Sequence, residues 1–385
     1  MRFALVAGAL ANKPNNGGEA WVRLSWALGL RRLGWDVWFV EELPPDLCVD
    51  QAGRPTTFET SINRRYFEEV VARFGLADAA TLICGEVNAS AGAPYDELLS
   101  RAGQAELLFN ISGNLKRREL VRAPRSRVYV DLDPGFTQMW ADTGDIGTDL
   151  TDHDYHVTVG SNLGRPDCPL PTGGIDWRQT LPPVLLDEWP VTQSPAESAP
   201  LTTIATWRSP YGQVELSGRL QDLKHHEFRK IINLPRRLPS LAFEIALAIT
   251  AEDSADLDAL RAHGWRIVNP SEVAADPGSY RDYIRRSAGE FTVAQGVYVS
   301  TRSGWFSDRT ACYLASGKPA LVQDTGISST LPIGEGLLVF SDMDGAVRGA
   351  EAIARDYTAH SRAAREIAER YLDSDVVLTR LLERL

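Results

Sequence analysis

The fold class that these 385 residues predict is α/β, with two doubly wound, Rossmann-like halves facing each other across a cleft. Three observations predict it. Apolar runs of strand length alternate with amphipathic helical runs, the pattern of mostly parallel sheets covered by helices. The alternation breaks once, at 178–202, where RQTLPPVLLDEWPVTQSPAESAPLT holds five prolines and little periodicity and reads as an interdomain linker. It then restarts. The expected organisation is a first domain over 1–195, a second over 196–360, and a terminal helical stretch over 361–385 that packs back towards the first.

Each element follows from local pattern. RFALVAGAL reads as a buried first strand rather than a secretory leader, because it has one flanking charge and runs straight into a turn and a helix. ANKPNNGG is a loop, EAWVRLSWALGLRRLG an amphipathic helix capped by Gly34, and WDVWFVEEL a second strand, which completes a βαβ unit. Helix NRRYFEEVVARFGL, strand ATLICG, helix YDELLSRAG and strands AELLFNIS, SRVYVDLDPG and HVTVGS follow. In the second half the strands are TTIATW, FEIALAIT, WRIVNP, FTVAQGVYV, PALVQD and GLLVFS. Helices KHHEFRKIINLPRRL, ADLDALRAHG, SYRDYIRRSAG, DRTACYLASG and GAVRGAEAIARDY lie between and after them, before the terminal run.

Bulk properties narrow the function. Net charge is −11, so the whole surface is not built for nucleic acid, and no nucleic-acid partner is expected. Four scattered cysteines without CxxC spacing predict reduced thiols and a cytoplasmic setting, not a disulfide framework or structural zinc. No run approaches the ~20 apolar residues of a membrane span. Neither GxGxxG nor GxxxxGK[ST] follows the first strand, which weakens dinucleotide and P-loop readings. Asp142-Thr143-Gly144 and Asp324-Thr325-Gly326 echo the paired triplets of aspartic proteases, but those are β-built and this chain is full of helical periodicity.

Three stretches could bind or transform a ligand. In TRSGWFSDRTACYLASGKP (301–319) a loop enters a helix whose free N–H groups suit an anion. Ser303 and Gly304 would allow close approach, Arg302 and Arg309 bidentate contact with phosphate, Asp308 hydrogen bonds from ribose, and Trp305 a stacking wall. Lys224, His225, His226 and Arg229 form a basic cluster at a helix start, where positive charge opposes the helix dipole and so asks for another reason. Gly17 and Gly18 permit a tight turn beside the cleft, and Glu19 is either a cap or a general base. Other candidates for the base are Asp131, Asp133, His153 and His156; the two aspartates alternate along a strand end, so one of them at most faces the cleft.

The segment YVSTRSGWFSDRTACYLASGKPALVQDTG, with GEGLLVF after it and NNGGEAWVRLSWALGLRRLGWDVWFVEE near the N-terminus, resembles GT-B-fold glycosyltransferases. The resemblance touches both halves. It implies a nucleotide-sugar donor (UDP-, TDP- or GDP-linked) in the second domain, held through Arg208, Lys224, Arg229 and the 302–309 stretch. It also implies that the Gly17-Gly18 loop faces the donor phosphates, that a small-molecule or glycan acceptor sits in the first domain, and that no metal is required. A homodimer is compatible with it. Family members often carry a glutamate where this chain has Cys312, with Asp308 one turn earlier able to take over the ribose. An epimerase or hydrolase, or a silent binding protein, can share the fold.

Overall fold

A computed structural model describes residues 2–385 apart from 86–88, 145–149, 193–198 and 210; the expected domain boundary at 195–196 lies outside the described residues. The first sheet holds β1 (Phe3–Ala7), β2 (Asp36–Leu43), β3 (Ala80–Cys84), β4 (Ser90–Gly92), β5 (Leu107–Ile111), β6 (Ser126–Asp131), β7 (Tyr155–Thr158) and β8 (Trp177–Gln179). Their order is β4-β3-β2-β1-β5-β6-β7-β8, parallel except for β4 against β3. The central strands are buried end to end, because helices cover both faces and leave no polar side for the period of two to express.

The second half begins with β9 (Leu201–Thr206), followed by a short hairpin of β10 (Glu215–Leu216) and β11 (Arg219–Leu220). Then come β12 (Phe243–Ala248), β13 (Arg266–Val268), β14 (Gly289–Thr292), β15 (Ala320–Gln323) and β16 (Leu337–Phe340). The six long strands run parallel in the order β13-β12-β9-β14-β15-β16. Each sheet therefore reverses strand order beside its first strand, at β1/β5 and at β9/β14. Such a switch point opens a crevice at the carboxyl ends of the strands, where ligands of these folds bind.

Several expected elements differ: β8 overlaps the stretch read as a linker, and KHHEFRKIINLPRRL breaks into helices Lys224–Lys230 and Leu234–Arg237. FTVAQGVYV leaves the sheet after Thr292, and Gly296–Ser300 turns into a helix. Gly296 lies so close to Asp222 that a Cβ could not be accommodated, so local packing overrides the β-branched residues that follow. The terminal run is not continuous: helix Tyr357–Ile367 passes through a wide π turn at Ala368–Leu372, and Asp373 then caps a separate helix, Ser374–Leu382. That last helix lies on helix Gly17–Arg32 of the first half, with Leu378 and Ser374 against Gly29. Among the described residues no helix is long and apolar enough to cross a membrane.

Candidate active site in the interdomain cleft

The carboxyl ends of the two sheets face one cleft of about 1200 Å³. Asn12–Asn16 after β1, Ser112 and Asn114 after β5 and Asp133 after β6 line one wall. Arg208 after β9, Ile249 after β12, Asn269 after β13, Gln295 after β14 and Ser307–Arg309 line the other. Two non-glycine residues of the first wall, Asn15 (φ 58°) and Ser112 (φ 54°), have left-handed backbones, a strained conformation that concentrates at ligand sites.

The loop after β1 is fixed from beneath by a residue that the sequence reading passed over. Glu41 of β2 is buried, and its carboxylate accepts the backbone N–H groups of Leu10, Ala11 and Asn12, each at 2.7 Å. Burial pushes its pKa up to about 7, against the three donors and the Arg23 charge that favour the ionised form. The signal was present: an acid inside the apolar run VWFVEEL needs a partner.

Of the five candidates for the base, Asp133 and Glu19 line the cleft, whereas Asp131, His153 and His156 do not. Asp131 is buried and accepts from Thr137, Gln138 and Thr158 and from the Asp133 N–H, so it builds the turn. Asp133 faces the cleft, with Tyr298 donating to it at 2.9 Å; burial, then the Asp131 charge, raises its pKa above the ordinary aspartate range. Glu19 also lines the cleft but is a poor proton acceptor. Burial would raise it, yet its ion pairs with Arg23 and with Lys13 (2.8 Å) outweigh that and hold it at about 2. His153 does not reach the cleft. It is buried behind β5 and β6, its Nε2 is 3.1 Å from the Asn110 amide and its ring is edge-on to Tyr129, away from the cleft.

The expected phosphate seat at 302–305 is an interdomain clasp instead. Asn162, from the loop after β7, is buried. Its N–H donates to the Ser303 carbonyl at 3.0 Å and its side-chain amide to the carbonyls of Arg302 (2.8 Å) and Gly326 (3.1 Å). Gly304 adopts φ +73° and meets Ser161 where no Cβ would fit, so its glycine serves domain contact rather than a ligand. Trp305 alone of this group lines the cleft, stacked on Tyr298 at 4.7 Å. The Gly17-Gly18 pair is explained in the same way. Gly17 donates to the Ala274 carbonyl, and a Cβ on either glycine would strike the segment from Asp276 to Tyr280 of the second half; only Gly18 reaches the cleft.

The cations separate sharply. Arg309 is buried, with Nε donating to Glu290 at 2.6 Å and its other nitrogens to Thr292 and the Ile204 carbonyl. Arg208 is held by Asp253 through two bonds of 2.6 and 2.8 Å, and Arg229 by Asp256 at 2.7 and 3.0 Å outside the cleft lining. Arg302 points towards Asp324. Lys224 differs from all of them. Its backbone N–H is fixed by Gln295 at 2.8 Å and its side chain lines the cleft, yet its ammonium has neither a hydrogen bond nor an ion pair among the described residues. Burial, then the Arg309 charge, lowers its pKa to about 8. Asp308, at the start of helix Asp308–Ala315, has been raised by burial to about 6. Among the described residues no group of three His, Cys, Asp or Glu could hold a metal ion.

No family model matches the chain, and no curated protein matches it by sequence. Solved structures do. Alpha-glucosyltransferase in complex with UDP-glucose and DNA containing an abasic site has a TM-score of 0.61 at 10% identity, over 100% of this chain and 99% of that one. HepE of Anabaena in complex with UDP-glucose gives 0.60 at 10% identity over 100% and 99%. A glycosyltransferase involved in avilamycin A biosynthesis gives 0.59 at 12% identity over 100% and 97%.

These neighbours overturn the expectation of no nucleic-acid partner, since several alpha-glucosyltransferase structures hold DNA. The inference failed because a net charge of −11 averages the whole surface, whereas a partner is met by one local patch. At such identities the likeness speaks to architecture. The two sheets, the switch points that face one another and the full-length overlap establish that this chain has the GT-B glycosyltransferase-like fold.

Proposed function

We propose that this protein is a glycosyltransferase that moves a sugar from a nucleotide-sugar donor to an acceptor hydroxyl in the interdomain cleft. The observation that carries this reading is Lys224, a cation in a cleft between two parallel sheets whose ammonium has no hydrogen bond or ion pair among the described residues, with the Glu290, Asp308 and Asp133 carboxylates acting on it only at a distance. A diphosphate supplies the missing charge. The neighbours solved with UDP or UDP-glucose support a uridine donor ahead of other bases.

On this reading the nucleoside occupies the slot formed by Leu247, Ile249, Ile267 and Val268, with Asn269 and Ser271 at its polar edge. Lys224 and the start of helix Asp308–Ala315, where Ser307 caps the Arg309 N–H and the helix dipole is positive, bind the diphosphate, and Asp308 takes ribose hydroxyls. The acceptor oxygen bonds to the anomeric carbon while the bond from that carbon to the diphosphate oxygen breaks with its electron pair. Asp133 receives the acceptor proton, and Lys224 stabilises the charge that develops on the leaving group. All these charges come from the chain, so the reading includes no metal, and the reaction is assigned to the cytoplasm. The DNA-bound neighbours bring nucleic acid into the set of acceptors to be tried.

The test is release of UDP from UDP-glucose, with and without acceptors, in wild type and Asp133→Asn across pH. Asp133 must be ionised to accept a proton, so the rate falls as pH drops through a pKa above the usual aspartate range. That limb disappears in Asp133→Asn, with turnover at least 10²-fold lower. Absence of nucleotide binding at millimolar concentration, or an unaltered variant profile, sinks the reading.

A further inference from the structure

A second cavity, of about 450 Å³, opens from the first wall of the cleft. Asn12, Ser112, Asn114, Asp133 and Tyr211 line both spaces, so the two meet at the carboxylate assigned as base. Its size is within the range of small-molecule sites. Trp140, from helix Phe136–Thr143 of the first half, and Tyr211, from the loop after β9 in the second, form one side. Their rings meet edge to face, centroids 4.8 Å apart at 72°, and Phe136 braces both at 5.5 Å. A stacked pair would cover a face of each ring; this arrangement leaves aromatic surface to the cavity. The same cavity is lined by hydrogen-bonding groups, Ser112, Asn114 and Asp133, and by Glu42, whose carboxylate accepts the Lys116 and Arg117 N–H groups. Ser112, with its left-handed backbone, lines both spaces.

An aromatic pair that shares a cavity with carboxylate, carboxamide and hydroxyl groups matches one class of ligand. A pyranose ring has a C–H face that packs on aromatic rings and an equatorial belt of hydroxyls that donates to carboxylates. We infer that this cavity is the acceptor subsite and that it takes a sugar ring, seated on Trp140 and Tyr211 with one hydroxyl presented to Asp133. Because Tyr211 crosses from the second half, the seat is complete only when the two domains are together, which couples acceptor binding to the closed cleft. The inference rests on the glycosyltransferase reading and adds the chemical class of its acceptor.

Saturation-transfer NMR on the full chain tests it, with methyl glucoside, galactoside and mannoside as probes, UDP present, and a duplex oligonucleotide carrying hydroxymethylated bases as a separate arm. At least one glycoside should receive saturation on its ring C–H face. Trp140→Leu, which keeps apolar bulk without the aromatic face, should weaken that binding tenfold or more, while Trp140→Phe retains most of it. UDP affinity should be unchanged in both, which also establishes that they fold. Transfer to no glycoside while UDP binds, transfer only to the oligonucleotide, or glycoside binding indifferent to Trp140→Leu each overturns the inference. Glycoside binding without any UDP binding would leave the sugar seat standing and remove the donor reading instead.

Discussion

Two cations meet on the second-domain wall of the cleft, and they do opposite things. Arg309 is buried with Glu290, whose side chain is 0% exposed, and spends its remaining donors on Thr292 and the Ile204 carbonyl. Lys224, close enough for the two charges to oppose each other, has no hydrogen-bond or ion-pair partner for its ammonium among the described residues. Both were expected to hold phosphate, and both line the cleft. The difference teaches that a cation's availability, not its position alone, marks a ligand site. A guanidinium already matched to a carboxylate is part of the scaffold, whereas an unmatched ammonium held below its normal pKa is a vacancy for negative charge.

The largest effect that would break this comparison is at Arg309. In Arg309→Met the Glu290 carboxylate is left buried without its counter-charge, which costs roughly 3–5 kcal/mol of stability. Chemical denaturation should register it, and the double variant Arg309→Met with Glu290→Gln should recover part of the loss because no lone charge remains. If Arg309→Met keeps full stability but loses UDP, Arg309 is a ligand residue after all.

Lys224→Met should do the reverse. Folding stability stays level or rises slightly, since an unpaired, partly desolvated ammonium has been removed, while UDP affinity measured by calorimetry falls about 10–100-fold, the range expected for one charge-assisted contact of ~1.5–3 kcal/mol. The pH dependence sharpens the point. With its pKa lowered to about 8, Lys224 is charged at neutral pH and loses that charge as pH rises through this value, so UDP affinity falls on the alkaline side. Binding near pH 8 should take up protons, because the diphosphate favours the charged lysine. The variant should show neither effect.

The architecture was legible because it rests on period and punctuation. The central strands of both sheets were readable as apolar runs between glycine loops, whereas the short edge strands β4 and β8 were not, β8 overlapping the stretch read as a linker, and Gly296–Ser300 was assigned to the wrong element. The site was less legible because its logic is pairwise. Sequence shows that Gly17, Gly18 and Gly304 can approach something closely, but not that the something is the other domain. It shows that Arg208, Arg229 and Arg309 are cations, but not that Asp253, Asp256 and Glu290 wait for them across 19 to 45 positions. Strand alternation does not separate Asp133 from Asp131, since residues two apart share a face; the two differ because β6 ends at Asp131 and the chain turns there, with the Asp133 N–H on the Asp131 carboxylate.

Arg229 gives the smallest effect and the cleanest control. It belongs to the same basic cluster as Lys224 and on sequence grounds had the same claim to the donor. In the fold it lies outside the cleft lining, half exposed, and pairs with Asp256. Asp256 would not be stranded by its removal, because Trp207 Nε1 still donates to it at 2.9 Å and solvent reaches the site. Arg229→Ala should therefore change stability by no more than about 0.5 kcal/mol, as exposed pairs do, and leave UDP affinity within twofold of wild type. A loss of affinity matching that of Lys224→Met would mean that the cluster acts on the ligand through its summed field. In that case the division between matched and unmatched cations would fail at the point where the two residues are nearest in sequence.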